Sequence, residues 1–376
     1  MTSLSLEWRR GTQRDSDAIN ELYKVVTGRA RNLTEYRWQW FEAPGGPGEI
    51  WLIEATENGT RNIVGHHGVM PIRFSNGSSN LLAGKTENTM VHPDYRQRLL
   101  YPRFERRFLG EYAPRFDALF STTGPAAALR QRQRLGYIDA AQWRRYAWAL
   151  GPAALPVFAA RNRPSTRIPL DEIAAAASRL PNRRTWFRKR GAKRTRLLAE
   201  DAARNDGFFD LFWDNARRDV GITPQRWSQD LDWRFWSNPN GTYTTLVFEW
   251  SDFAGFAIVR KAGKHIIQIA DVVVTPSRPE TISLALEATL DWGVDIGAQL
   301  AYFSTTSDFT EMTAALDAVS YRDLSLLAQQ LRHGGKPDPS ASPSIGMLRH
   351  VTKRGLSQDV SASGWQVTPL VFEGRR

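Results

Sequence analysis

The segment Thr86-Glu87-Asn88-Thr89-Met90-Val91-His92-Pro93-Asp94-Tyr95-Arg96-Gln97-Arg98-Leu99-Leu100-Tyr101 changes character along its length. Its first half reads as a strand that ends in the element Val91-His92-Pro93, because proline has no N–H with which to continue a ladder. Its second half is a basic loop. Beyond it, Pro102–Tyr112 carries Phe104, Phe108 and Tyr112 four apart, the spacing of an amphipathic helix.

The same order returns later in the chain. Val274-Thr275-Pro276 matches Val91-His92-Pro93 at an offset of 183, and Phe120-Ser121-Thr122-Thr123 is repeated at that offset as Phe303-Ser304-Thr305-Thr306. Upstream, Tyr36 to Gly46 resembles Leu231 to Gly241, with Trp38/Trp233, Pro44/Pro239 and Gly46/Gly241 all 195 apart. Such self-similarity predicts an internal duplication, whose changing offset is absorbed in loops.

Each copy is expected to open on a helix (15–27; 208–219) and to pass through a Trp-rich segment. Strands follow at 50–57 and 243–250, then at 62–70 and 255–260, before the Val-x-Pro strand and its helix (102–112; 280–293). The Phe-Ser-Thr-Thr segment ends a further strand. Asn58-Gly59, Asn76-Gly77 and Asn240-Gly241 read as hairpin turns. Strands and helices in this order predict an α+β protein of two mixed-sheet domains. The expected boundaries are an N-terminal domain at 1–150, a basic insert at 151–205 with a helix at 171–180, a C-terminal domain at 206–330, and a tail at 331–376. Within the tail, 346–351 and 365–372 are expected to return to a sheet.

The 376 residues include 14 Trp, 18 Phe and 10 Tyr, an aromatic content that excludes a disordered chain. There is no cysteine, which excludes disulfides, thiolate metal sites and a cysteine nucleophile. With no apolar run long enough to span a bilayer and no signal-peptide core at the N-terminus, a cytoplasmic location is expected. The net charge of +11 is concentrated in Arg183, Arg184, Arg188, Lys189, Arg190, Lys193, Arg194 and Arg196, with no acidic residue among them. That run reads either as a patch for an anionic partner, RNA or a phosphorylated substrate, or as a solvated connector.

The 86–101 element resembles the fourth strand and acyl-CoA loop of the GNAT acyltransferase superfamily, and the whole chain resembles tandem GNAT proteins known from bacteria. The resemblance covers most of 1–150 and, more weakly, 206–330. It implies two GNAT-like domains and acetyl-CoA or another acyl-CoA as donor. Met90 and Val91 would pair with the pantetheine amides, and Arg96, Gln97, Arg98, Leu99, Leu100 and Tyr101 would form the phosphate loop. A loop wrapping a helix start directs unpaired N–H groups at a pyrophosphate, and the helix dipole adds to the attraction. This loop departs from the family pattern. Leu99 and Tyr101 stand where the family has small residues, and Pro102, read as the first helical position, removes one donor. The resemblance also implies that Glu87 takes the proton of an amine acceptor. In the second copy, Ala270 stands at the same offset and Pro279-Glu280 replaces the loop start, so catalysis is expected in the first copy alone.

His66-His67 lies between Gly65 and Gly68 on a strand, one imidazole to each face of the sheet. The pair reads as a base or substrate anchor, or as a structural pair; a metal site is not expected, because no third ligand lies at suitable spacing. Ser121 and Thr122 fall where family members bind CoA or the leaving thiol, and His92 lies beside the donor strand. The tryptophan segments, present in both copies, are expected to pack rather than to form a sugar platform. Three functions follow. The first is an acyl-CoA-dependent N-acyltransferase acting on an amine-bearing small molecule or saccharide. The second is an aminoacyl-tRNA-dependent peptide-bond-forming transferase using the basic run. The third is a non-catalytic binding protein of the same fold.

Overall fold

The computed structural model describes residues 4–77, 79–98, 100–121, 130, 132–162, 195–306, 308–319, 344–350 and 365–368. The expected helix at 171–180 and basic residues 183–194 lie outside these.

The first lobe begins with strand β1 (Leu4–Arg10), followed by α1 (Ser16–Thr27) and α2 (Leu33–Phe41). Gly28, at φ 72°, ends α1, a left-handed position that costs glycine no Cβ clash. Asn32 starts α2 by accepting the Glu35 N–H at 2.7 Å. Then come β2 (Glu49–Glu57), β3 (Thr60–Asn76) and β4 (Ser79–Val91). Asn58 and Gly59, both at positive φ, make the two-residue turn between β2 and β3. Next are a 3-10 turn (Pro93–Arg98), α3 (Leu100–Tyr112) and β5 (Ala118–Phe120), and then β6 (Ile138–Ala149) and α4 (Ala154–Asn162).

The second lobe repeats this order. Strand β7 (Thr195–Leu198) precedes α5 (Glu200–Arg204), α6 (Phe208–Ala216) and β8 (Ile222–Pro224). Helix α7 (Ser228–Leu231) runs into a π-helical turn (Asp232–Trp236). Strands β9 (Tyr243–Glu249), β10 (Ala254–Lys261) and β11 (Ile266–Thr275) follow, then α8 (Pro279–Asp295), β12 (Leu300–Thr306), α9 (Thr310–Ala318) and β13 (Ser344–His350). Asn240-Gly241 is not a hairpin turn. It joins the π-helical turn to β9, where the Asn240 N–H donates to Asn238 Oδ1 at 2.9 Å.

The strand order β1-β2-β3-β4-β5-β13-β6-β12-β11-β10-β9-β7 reads as one six-strand pattern followed by its reverse. In both halves the fourth and fifth strands are parallel, β4 to β5 and β11 to β12. The sixth strands are exchanged. β13, from the end of the chain, pairs with β5 of the first lobe, and β6, from the first lobe, pairs along 143–149 with β12 of the second. β6 and β13 pair with each other at the centre. Residues 195–205, expected in the insert, thus supply the edge strand of the second sheet and the short helix after it.

The duplicated tryptophans meet at the seam. Trp38 Nε1 donates to the Trp233 carbonyl at 2.6 Å, and Trp233 Nε1 returns a bond to the Trp38 carbonyl at 2.9 Å. Their rings stack at 5.6 Å. Equivalent residues contacting one another reciprocally define a pseudo-two-fold axis. β8 also crosses the seam to pair with β3, and Arg73 of β3 forks onto Asp230 at 2.9 and 2.6 Å. Of the Trp-rich positions, Trp38, Trp40, Trp233, Phe235 and Trp236 are buried and Phe41 is half-buried against the same core, which makes them packing elements.

Candidate active site

β4 pairs with β5 only from Ala83 to Lys85; the last pair is Lys85 with Phe120. Thr86 Oγ1 donates to the Phe120 carbonyl at 3.4 Å, and beyond it no described strand pairs with β4 on that side. Among the described strands, the lip from Glu87 to Val91 pairs with β3 alone. A bulge re-aims this lip: Gly68 faces Glu87 and His66 faces Met90, leaving Asn88 and Thr89 opposite His67. Asn88 takes φ 49°, which asparagine tolerates better than most residues.

Glu87 stands at the start of the lip with its side chain 22% exposed, ion-paired to Lys85, which is 1% exposed. The two are neighbours on one face because they are two apart on a strand. Opposite Glu87, Gly68 leaves room for the Trp40 ring; a Cβ there would run into it. Met90 is buried and Val91 half-buried, its carbonyl accepting from Arg96 Nε at 3.3 Å.

The two histidines lie inside the protein, not in the cleft. Each is fully buried. His66 Nδ1 bonds the Asn88 carbonyl at 2.7 Å beneath Trp40, so its proton sits on Nδ1. His67 bridges Thr89 Oγ1 at 2.9 Å and the Tyr112 hydroxyl at 3.0 Å on the opposite face. Burial pushes both imidazoles down to about 3, which keeps them neutral at ordinary pH. They pin the two bulge residues from either side of the sheet.

Arg96, Gln97 and Arg98 occupy the exposed 3-10 turn rather than an open loop. α3 starts at Leu100, so Pro102 sits third in the helix, not first. Its missing N–H still falls among those that have no intrahelical partner. Tyr101 lies in the first turn; Leu99 and Thr122 are outside the described residues. Ser121 is buried against Arg132, whose Nε reaches the buried Glu105 at 3.3 Å. His92 is half-exposed beside Tyr95. Arg196, the described end of the basic run, is paired with Asp206 at 2.7 Å and Glu249 at 2.6 Å. Among the described residues no cluster of His, Asp and Glu is placed to hold a metal, and no helix is long and apolar enough to cross a membrane.

The second lobe places a carboxylate where the sequence offset suggested Ala270. The β3–β4 and β10–β11 ladders match at both ends, but their bulges are displaced. The first copy carries its extra residues after Glu87; the second carries Ala270 before Asp271. By register, Asp271, facing Ile258, is the counterpart of Glu87, facing Gly68. Asp271 is fully buried, forked by Arg226 at 2.7 and 3.1 Å, and accepts from Thr368 Oγ1 at 2.7 Å. The segment 365–368 lies in the gap between β11 and β12. Thr306 N–H donates to the Val367 carbonyl at 3.1 Å, Val367 N–H to Thr306 Oγ1 at 3.0 Å, and Gln366 N–H to the Ile222 carbonyl at 2.8 Å.

No protein-family model matches the sequence. No curated protein matches it either. Solved structures do. The chain superposes on a conserved protein of unknown function from Enterococcus faecalis V583, described as a probable N-acyltransferase. Identity is 11% and the TM-score 0.56, over 93% of this chain and 73% of the other. A GCN5-related N-acetyltransferase from Anabaena variabilis aligns with 13% identity and a TM-score of 0.54 over the same shares. The fold is that of the GCN5-related N-acetyltransferases. The chain is thus a duplicated fold of this kind, with one half-buried and one sealed carboxylate. Sequence reading missed Lys85, although lysine and glutamate two apart on a strand are a legible signal. It also stopped the 195 offset short of Arg31/Arg226 and Glu35/Asp230, all buried.

Proposed function

We propose that the first lobe is an acyl-CoA-dependent N-acyltransferase acting on the amine of a small molecule or saccharide. The observation that carries this reading is the parting of β4 from β5 just before a half-exposed carboxylate. The lip at Met90 and Val91, which no described strand covers on the β5 side, would receive the amides of a pantetheine arm. The turn at 93–98 and the start of α3, with Arg96 and Arg98 beside it, suit the donor's phosphates.

The amine nitrogen attacks the thioester carbonyl carbon as Glu87 accepts its proton, directly or through water. The C–S bond then breaks, the acyl group stays on nitrogen as an amide, and the thiolate takes up a proton to leave as CoA. Ser121, at the end of β5, lies on the side where that thiol departs. Acetyl is the simplest acyl group. A cytoplasmic setting, with acyl-CoA at hand, accords with a chain that uses no cysteine.

Titration calorimetry with acetyl-CoA and with CoA tests the reading. One donor per chain is expected, in the micromolar to millimolar range. Absence of heat and of any thermal shift at millimolar ligand would overturn it.

A further inference from the structure

Lys85 is the group that the proposed chemistry has not used. A lysine that is 1% exposed is rare unless paired, because desolvating an ammonium costs several kcal/mol. Its partner is Glu87. The backbone at Lys85 is paired on both sides, with Met70 on β3 and Phe120 on β5, whereas among the described strands Glu87 pairs with Gly68 of β3. A rigid cation thus sits at the apex of the cleft and its carboxylate at the mouth.

The second lobe shows what the alternative does. At the register of Lys85 it has Gln268, and the cation for Asp271 comes from Arg226, on the segment before α7. The planar guanidinium forks both carboxylate oxygens, and Thr368 closes the site. An ammonium is a point charge that cannot fork a carboxylate in that way.

We propose that Lys85 is a positioning residue for the acceptor site, holding Glu87 ionised and aimed into the cleft from beneath. This rests on the acyltransfer reading and adds to it a second group, on the same strand. The other ionisable groups near this face are His66 on β3, Arg31 before α2, whose charge reaches His66, and Glu35 on α2. His66 stays neutral, and the cation in direct contact with the Glu87 carboxylate is Lys85.

The experiment compares wild type, Lys85→Arg, Lys85→Met and Glu87→Gln by the pH dependence of kcat/KM, with folding checked by thermal melts. Lys85→Met is expected to move the acid limb of the profile upward by about one pH unit or more, with activity recovering at high pH. Lys85→Arg leaves the limb in place. An unmoved limb in Lys85→Met, with Glu87→Gln inactive, overturns the proposal while leaving the acyltransfer reading intact. A fully active Glu87→Gln counts instead against the role of Glu87. Carbon-13 titration of the Glu87 carboxyl provides a readout without turnover. The same midpoint in wild type and in Lys85→Met overturns the proposal.

Discussion

The two clefts begin alike and end differently. In each, a parallel pair of strands parts after a short register, at Lys85/Phe120 in one lobe and Gln268/Tyr302 in the other, and a carboxylate stands just beyond the split. In the first lobe that carboxylate reaches solvent and its cation lies below it. In the second it is sealed by Arg226 and Thr368, with the chain's own segment 365–368 in the gap. Duplication kept the frame, and the occupant of the gap distinguishes the two halves: in one the carboxylate reaches solvent, in the other it is sealed.

The largest effects should separate the carboxylates. Glu87→Gln is expected to lower kcat by about 10²–10⁴-fold, the usual worth of a positioned base, and also to lower the melting temperature, because it leaves the buried Lys85 ammonium beside a neutral partner. Asp271→Asn should act on stability alone. Leaving Arg226 buried beside a neutral partner should cost about 3–5 kcal/mol of stability, with turnover per folded molecule unchanged. Steady-state kinetics and denaturant melts on both variants decide the matter. Equal kinetic losses would erase the distinction between the lobes.

Acid should also tell the halves apart. His66 and His67 have as counterparts by register Phe256 and Ala257, which do not titrate. Because burial lowers both imidazoles from 6.5 to about 3, the unfolded chain takes up protons that the folded lobe refuses. Stability present above pH 6.5 is lost as the pH falls toward 3, at about 1.4 kcal/mol per unit for each histidine. Hydrogen exchange at pH 5 should therefore show β3 and β4 opening before β10 and β11, and His67→Gln should weaken that gradient. Uniform opening would break the contrast.

The smallest expected effect tests the symmetry itself. Trp38→Phe and Trp233→Phe each delete one of two reciprocal bonds and strand a buried carbonyl, costing about 1–3 kcal/mol apiece. Because each tryptophan bonds the other's backbone and their rings stack, the double variant should cost less than the sum of the singles. Strict additivity in urea melts would mean that the two bonds do not act as a unit.

Much of this was legible beforehand. The offset of 195 foretold Trp38 and Trp233 as equivalents, and the Val-x-Pro element marked the end of the fourth strand. What escaped was whatever depends on pairing across the chain. A bulge shifted by a few residues moved the second carboxylate from Ala270 to Asp271, because an ungapped offset cannot see on which side of a residue a ladder slips. Burial of His66 and His67 turns on Trp40 and Tyr112, brought close by packing. The exchange of β6 and β13 has no local signature, since each strand reads the same whichever sheet receives it.

That exchange has a consequence for how the chain is made. The first lobe's sheet gains its β13 strand only when residues 344–350 have been synthesised, by which time the second lobe's strands exist as well. On the ribosome the edge of β5 must wait until the second lobe's strands have been synthesised, and contacts of such long sequence separation form slowly. The halves are copies in design but not in assembly: every strand of the second sheet, β6 included, precedes β13, so the lobe synthesised first is the last to complete its sheet, and a cut between them would leave both with a raw edge.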